Sequence, residues 1–69
     1  MTYNEAILEL VKIQDTMMVA RHDNKRLEIK ILPFHTKITI YTKGVRSVNM
    51  EHVANFDYII KTVKEDLQL

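Results

Sequence analysis

Between Arg26 and Lys43 apolar and polar residues alternate almost without a break, R-L-E-I-K-I-L-P-F-H-T-K-I-T-I-Y-T-K. Strict alternation over this length marks a strand with one buried face, because successive side chains of an extended chain point to opposite sides. Two such runs flank the four-residue connection Pro33-Phe34-His35-Thr36. Folding them together across it sets Leu27 opposite Thr42, Ile29 opposite Ile40 and Ile31 opposite Ile38. The isoleucines then share one face, and Glu28, Lys30, Lys37, Thr39 and Tyr41 share the other. A slip of one residue would bury the lysines, so the pattern specifies the register.

Upstream the period changes. Asn4 is placed to cap a helix with its side-chain oxygen, Glu5 falls in the first turn, and Ala6, Ile7, Leu10, Val11 and Gln14 follow at helical spacing. The spacing predicts a helix from about Asn4 to about Gln14. From Thr16 to His22 an alternation returns, Met17, Val19 and Arg21 against Met18, Ala20 and His22. His22-Asp23-Asn24-Lys25 carries turn chemistry, and a three-residue loop over Asp23, Asn24 and Lys25 would set Val19 opposite Ile29 and Met17 opposite Ile31. This predicts a first strand ahead of the hairpin. The competing reading carries the helix on to about Arg21 and leaves two strands; an isolated hairpin is marginal, which favours three.

After Lys43, Gly44 offers an unusual dihedral for leaving the sheet, and Val45, Arg46 and Ser47 read as a connection. Ser47 or Asn49 then caps a second helix; with Asn49 as cap, Glu51 lies in the first turn, and Val53, Phe56, Ile60, Val63 and Leu67 form a narrow apolar seam, broadened by Ala54 and Ile59. A second helix is predicted from about Asn49 to about Gln68. The expected architecture is therefore α+β in the order α-β-β-β-α: two layers, a three-stranded antiparallel meander with two helices on one face, in a single small domain over residues 1–69. The strict seam is also the form of a coiled coil, so a homodimer through the second helix is an alternative use of it.

Composition narrows the picture. A chain of 69 residues buries only about 60% of the surface it exposes when unfolded, which leaves little stability in reserve. With no cysteine, disulfides and thiolate zinc sites are excluded, and support must come from packing, a dimer or a partner. One glycine and one proline exclude a glycine-rich phosphate loop. The start Met1-Thr2-Tyr3-Asn4-Glu5 lacks the pattern of an export signal, and no stretch approaches the roughly 20 apolar residues of a membrane span. A cytoplasmic protein without membrane contact is expected.

Charge is segregated along the chain. From Met1 to Ala20, Lys12 faces Glu5, Glu9 and Asp15; from Ser47 to Leu69, Lys61 and Lys64 face Glu51, Asp57, Glu65 and Asp66. Between them lie Arg21, Lys25, Arg26, Lys30, Lys37, Lys43 and Arg46 against only Asp23 and Glu28. The sheet segment is basic and the helical segments acidic. Lys30, Lys37 and Tyr41 on the bare sheet face, with Arg26 and Lys43 near one end, form a candidate surface for nucleic acid or an acidic protein, and Tyr41 offers a ring for stacking. Lysines on an exposed sheet also serve solubility alone. Phe34 is the other candidate, an aromatic at a hairpin tip that either folds back over the core or stands out as an interface anchor.

Residues for chemistry are sparse. His22, His35 and His52 lack the i, i+4 spacing of a helical metal site, and Ser47 lacks a glycine-flanked elbow. No catalytic residue, cofactor or metal is expected. The order helix, three strands, helix is similar to that of the double-stranded-RNA-binding domain, and Leu32-Pro33-Phe34-His35 resembles its Gly-Pro-x-His loop without the glycine. That family carries the proline and histidine in the first strand connection, whereas the strands read here place them in the second. Its lysine-rich start to the second helix has no counterpart at Asn49-Met50-Glu51-His52. The likeness covers the topology and two residues, and RNA binding is not carried over on it.

The expected function is a small non-enzymatic interaction module of adaptor or inhibitor type, its partner another protein or a second copy of itself. Short frames of this kind are common in bacteria and their phages, which is an association rather than a physical argument. A nucleic-acid binder using the basic sheet is the alternative.

Overall fold

The computed structural model describes residues 1–20 and 24–69. Its elements are helix α1 (Tyr3–Ala20), strands β1 (Arg26–Ile31), β2 (Thr36–Tyr41) and β3 (Val45–Asn49), a 3-10 turn (Met50–His52) and helix α2 (Phe56–Leu67). The strands form an antiparallel meander in the order β1-β2-β3. Both helices pack on the face carrying Leu27, Ile38 and Ile40. The α+β class and the α-β-β-β-α order are those the pattern predicts, but the three strand places are each filled by the next segment along the chain.

Helix α1 takes up Thr16–Ala20 of the segment expected to be the first strand. Ala6, Leu10, Ile13 and Met17, all buried, continue one apolar stripe past Gln14 without interruption. The alternation at Met17–Ala20 carried little information because its two phases are both apolar. The turn expected at His22 and Asp23, and Arg21 beside it, lie outside the described residues. The helix also starts earlier than expected. Thr2, not Asn4, caps it: the Thr2 amide donates to Glu5 Oε1 at 2.8 Å, and the Glu5 amide donates to Thr2 Oγ1 at 3.2 Å. This reciprocal capping box satisfies two amides that the first turn leaves free. The Thr2 backbone amide, then its hydroxyl, hold the exposed Glu5 carboxyl below its ordinary range.

The hairpin keeps its faces but not its register. Leu27 pairs with Ile40, Ile29 with Ile38 and Ile31 with Thr36, a shift of two residues from the expected pairing. The connection is a two-residue turn at Pro33-Phe34, closed by the Leu32 amide donating to the His35 carbonyl at 2.8 Å. Proline suits the first central position of a type I turn, and neither turn residue has a positive φ. Because side chains repeat every two residues, a slip of two leaves every face unchanged.

The third strand is Val45–Asn49, expected as a connection and a helix cap. Gly44 does not leave the sheet through a special dihedral, since its φ is not positive. It belongs to the tight turn into β3, where the Thr42 amide donates to the Gly44 carbonyl at 3.0 Å. Arg46, paired with Ile40, points to the helix side, and its Nη1 donates to Asp66 Oδ2 of α2 at 3.0 Å. The second helix starts at Phe56, capped by Asn55, whose Oδ1 accepts from the Tyr58 amide at 3.1 Å; Asn49 only precedes the 3-10 turn. Ile59, Ile60, Val63 and Leu67 are buried within the chain. The seam considered for a helix–helix dimer is thus consumed by the core. At the far end Gln68, in the left-handed region at φ 60°, lets the Gln68 and Leu69 amides close on Glu65 and Lys64.

Ile40→Lys should unfold the domain, because a lysine there is buried without a counter-charge, whereas Lys30→Ile should leave the far-ultraviolet circular dichroism unchanged. Thr2→Ala should lower stability in urea by about 0.5–2 kcal/mol through loss of the cap. Folding lowers the Glu5 pKa, so the contribution of its charge is present above the ordinary carboxylate range and lost as pH falls through the folded value. A pH-independent difference between Glu5→Gln and the parent would contradict that part.

Candidate functional site

Pairing lays out the bare face in three rows. Arg26, Tyr41 and Val45 form one, Glu28, Thr39 and Ser47 the next, and Lys30, Lys37 and Asn49 the third. Arg26, Lys30, Lys37 and Tyr41 therefore do share one face. The Arg26 guanidinium lies 4.2 Å from the centre of the Tyr41 ring, a cation–π contact that covers the aromatic surface a base would need. Thr39 Oγ1 and Ser47 Oγ lie 3.4 Å apart, which joins β2 to β3 across the same face. Lys30 and Lys37 stand directly opposite each other and exposed. Like charges so placed are mildly destabilising, so the pair is a cost of the fold unless something anionic meets it. Glu28 in the neighbouring row offsets part of that field.

Lys43 is separate from these four side chains. It sits in the β2–β3 turn beside a shallow cleft of about 500 Å³ shared with Asn24, Lys25, Thr42, Asp66 and Gln68. Lys25 Nζ donates to Gln68 Oε1 there at 2.7 Å. The carboxylate of Asp66 is already committed to Arg46. The cleft is an open junction between loop, turn and helix end.

Phe34 lies at the opposite end of the hairpin and is 93% exposed. Of its two expected positions, the structure takes the outward one. The turn beneath it is held by the Leu32–His35 backbone bond and by the ring of Pro33, so the aromatic stands on a short, fixed support. His35 and His52 are both exposed. Among the described residues, no group of three or more His, Cys, Asp or Glu side chains could hold a metal, and no helix is long and apolar enough to cross a membrane.

Several surface features were not legible beforehand. Val45, Ser47 and Asn49 complete the bare face because β3 exists. Helix α1, now longer, exposes Leu8, Val11, Met18 and Val19. Tyr3 hydrogen-bonds through its hydroxyl to Thr36 Oγ1 at 2.6 Å and packs edge-on against Phe56 at 5.9 Å, which ties α1, β2 and α2 together at the hairpin end. Glu51 accepts from the Thr36 amide at 2.8 Å, filling the ladder position just past the end of β3.

One difference from the double-stranded-RNA-binding pattern disappears, since Pro33 and His35 do lie in the first strand connection. The other stands: α2 opens on Phe56-Asp57-Tyr58, and its lysines, Lys61 and Lys64, come only later. Comparison with family models, with curated proteins and with solved structures finds no match to this chain.

Proposed function

We propose that this domain is a protein-interaction module of adaptor or inhibitor type that engages its partner with the β1–β2 hairpin tip. The observation that supports this reading most is the position of Phe34, 93% exposed on a two-residue turn. Burying such a side chain is worth about 1.5–3 kcal/mol, and the backbone that carries it, already closed into a turn, loses little further freedom on binding. Aromatic anchors of this sort dominate many interfaces. A second reading, nucleic-acid binding by the bare face, draws on the opposed Lys30 and Lys37. It is weakened by Arg26, which already covers Tyr41.

Phe34→Ser should change stability by no more than about 0.5 kcal/mol, as for other exposed positions. A photo-crosslinking residue at position 34 should yield a discrete protein adduct in the cells that produce the chain, while the same residue at position 47 should not. No adduct at 34 would remove the reading, and a nucleic-acid adduct at 47 would favour the second one. For that second reading, a gel shift at low salt should weaken steeply as salt rises, and Lys30→Ala with Lys37→Ala should flatten the dependence. No shift with single- or double-stranded oligonucleotides would exclude it.

A further inference from the structure

The two edges of the sheet differ. Bonds in an antiparallel pair alternate between residues, and the Leu32–His35 bond fixes the phase. Arg26, Glu28 and Lys30 therefore bond to β2, and the backbone groups of Leu27, Ile29 and Ile31 point away from the sheet. Gln14 agrees with this phase, since its Nε2 donates to the outward Leu27 carbonyl at 3.3 Å. Among the described residues, nothing comparable takes up the outward groups of Ile29 and Ile31. The Ile31 side chain is 72% exposed. An open edge flanked by exposed apolar surface is a template for another strand.

We propose that this edge pairs with β1 of a second copy, antiparallel, about a twofold axis passing beside Ile29. The sequence around Ile29 is complementary to its own reverse: Leu27-Glu28-Ile29-Lys30-Ile31. With Ile29 opposite Ile29, Glu28 of each copy faces Lys30 of the other on the bare side, and Leu27 faces Ile31 on the helix side. The charges also select the register. A slip of two residues one way sets Glu28 against Glu28; two the other way sets Lys30 against Lys30. Slips of one residue mix the two faces. Charged residues on an edge strand ordinarily deter pairing; here the two opposite charges make one pairing favourable and its neighbours not.

Helix α1 supports the same axis. Gln14 lies over the β1 edge, and Ile7, Val11 and Met18 lie on the same side of the helix at spacings of three, four or seven residues from it. Val11 is 38% and Met18 69% exposed, an apolar stripe on the side that would meet α1 of the second copy. The opposite edge offers no such match. Self-pairing of β3 about Ser47 would set Arg46, already bonded to Asp66, against Val48. The resulting dimer has one continuous six-stranded sheet and leaves Phe34 free, so it does not depend on what the hairpin tip binds.

Sedimentation equilibrium of the full chain from micromolar to millimolar concentration should show a reversible transition toward twice the 8.2 kDa monomer mass. Glu28→Lys and Lys30→Glu should each weaken association by about tenfold or more, because each sets like charges opposite twice across the axis. The double variant, with the charges exchanged, should return to within about threefold of the parent. Both side chains are exposed, and circular dichroism should be unchanged in all three. Phe34→Ser should associate like the parent. A monomer throughout, a dimer indifferent to either single reversal, or a double variant no tighter than the singles would overturn the proposal.

Discussion

Ile38 and Ile40, on the central strand, hold the two layers together. They are 0% and 2% exposed, and β2 is the strand with a neighbour on each side. Helix α1 reaches this point through Ala6, Leu10, Ile13 and Met17, and α2 through Ile59, Ile60, Val63 and Leu67. The same pleat that turns the two isoleucines inward turns Lys37, Thr39 and Tyr41 to the other face, where Lys37 is exposed, Tyr41 half-buried and Thr39 covered by its neighbours. What the molecule buries and what it offers are thus fixed by a single strand. In a domain of 69 residues there is little surplus apolar burial to absorb an error there.

The sequence showed faces more clearly than it showed segments. Alternation around Leu27–Ile40 is unambiguous about which side faces the helices, and burial follows it at Leu27, Ile29, Ile38 and Ile40 but not at Ile31, which stays exposed on the outer strand. It is silent on a slip of two residues, so the pairing of Ile29 with Ile38 rather than Ile40 depends on the turn. The Pro33-Phe34 turn needs no more than two residues, a detail alternation cannot supply. At Met17–Ala20 strand and helix spacings coexist, and the stripe from Ala6 to Met17 decides for the helix through tertiary packing. Strand β3 was obscure because only Val48 of its five residues contributes apolar packing to the core. The Thr2-x-x-Glu5 capping box, by contrast, was readable in the residues themselves.

The candidate surfaces follow the same division. Lys30, Lys37 and Tyr41 were placed on one face by parity alone and do lie there, and Arg26, expected only near one end of it, joins them opposite Tyr41. That Arg26 covers the Tyr41 ring depends on a side-chain conformation and not on pattern. Phe34 could not be assigned inward or outward until the turn length was known. The β1 edge was invisible while Met17–His22 was read as its neighbour. With Met17–Ala20 in α1, β1 is an outer strand, and the palindrome about Ile29 acquires a physical meaning. The proposed adaptor function and the proposed self-association thereby fall on separate parts of the domain, the hairpin tip and the sheet edge.

The register of β1 on β2 is the claim from which the two-residue turn, the rows across the bare face and the bonding phase at the β1 edge derive. It is tested most directly by nuclear Overhauser contacts between α-protons, which are strong across pairs that do not exchange backbone bonds because those strand positions approach most closely. The structure predicts such contacts for Leu27 with Ile40, Ile29 with Ile38 and Ile31 with Thr36. Contacts of Ile29 with Ile40 and Ile31 with Ile38 in their place would contradict it.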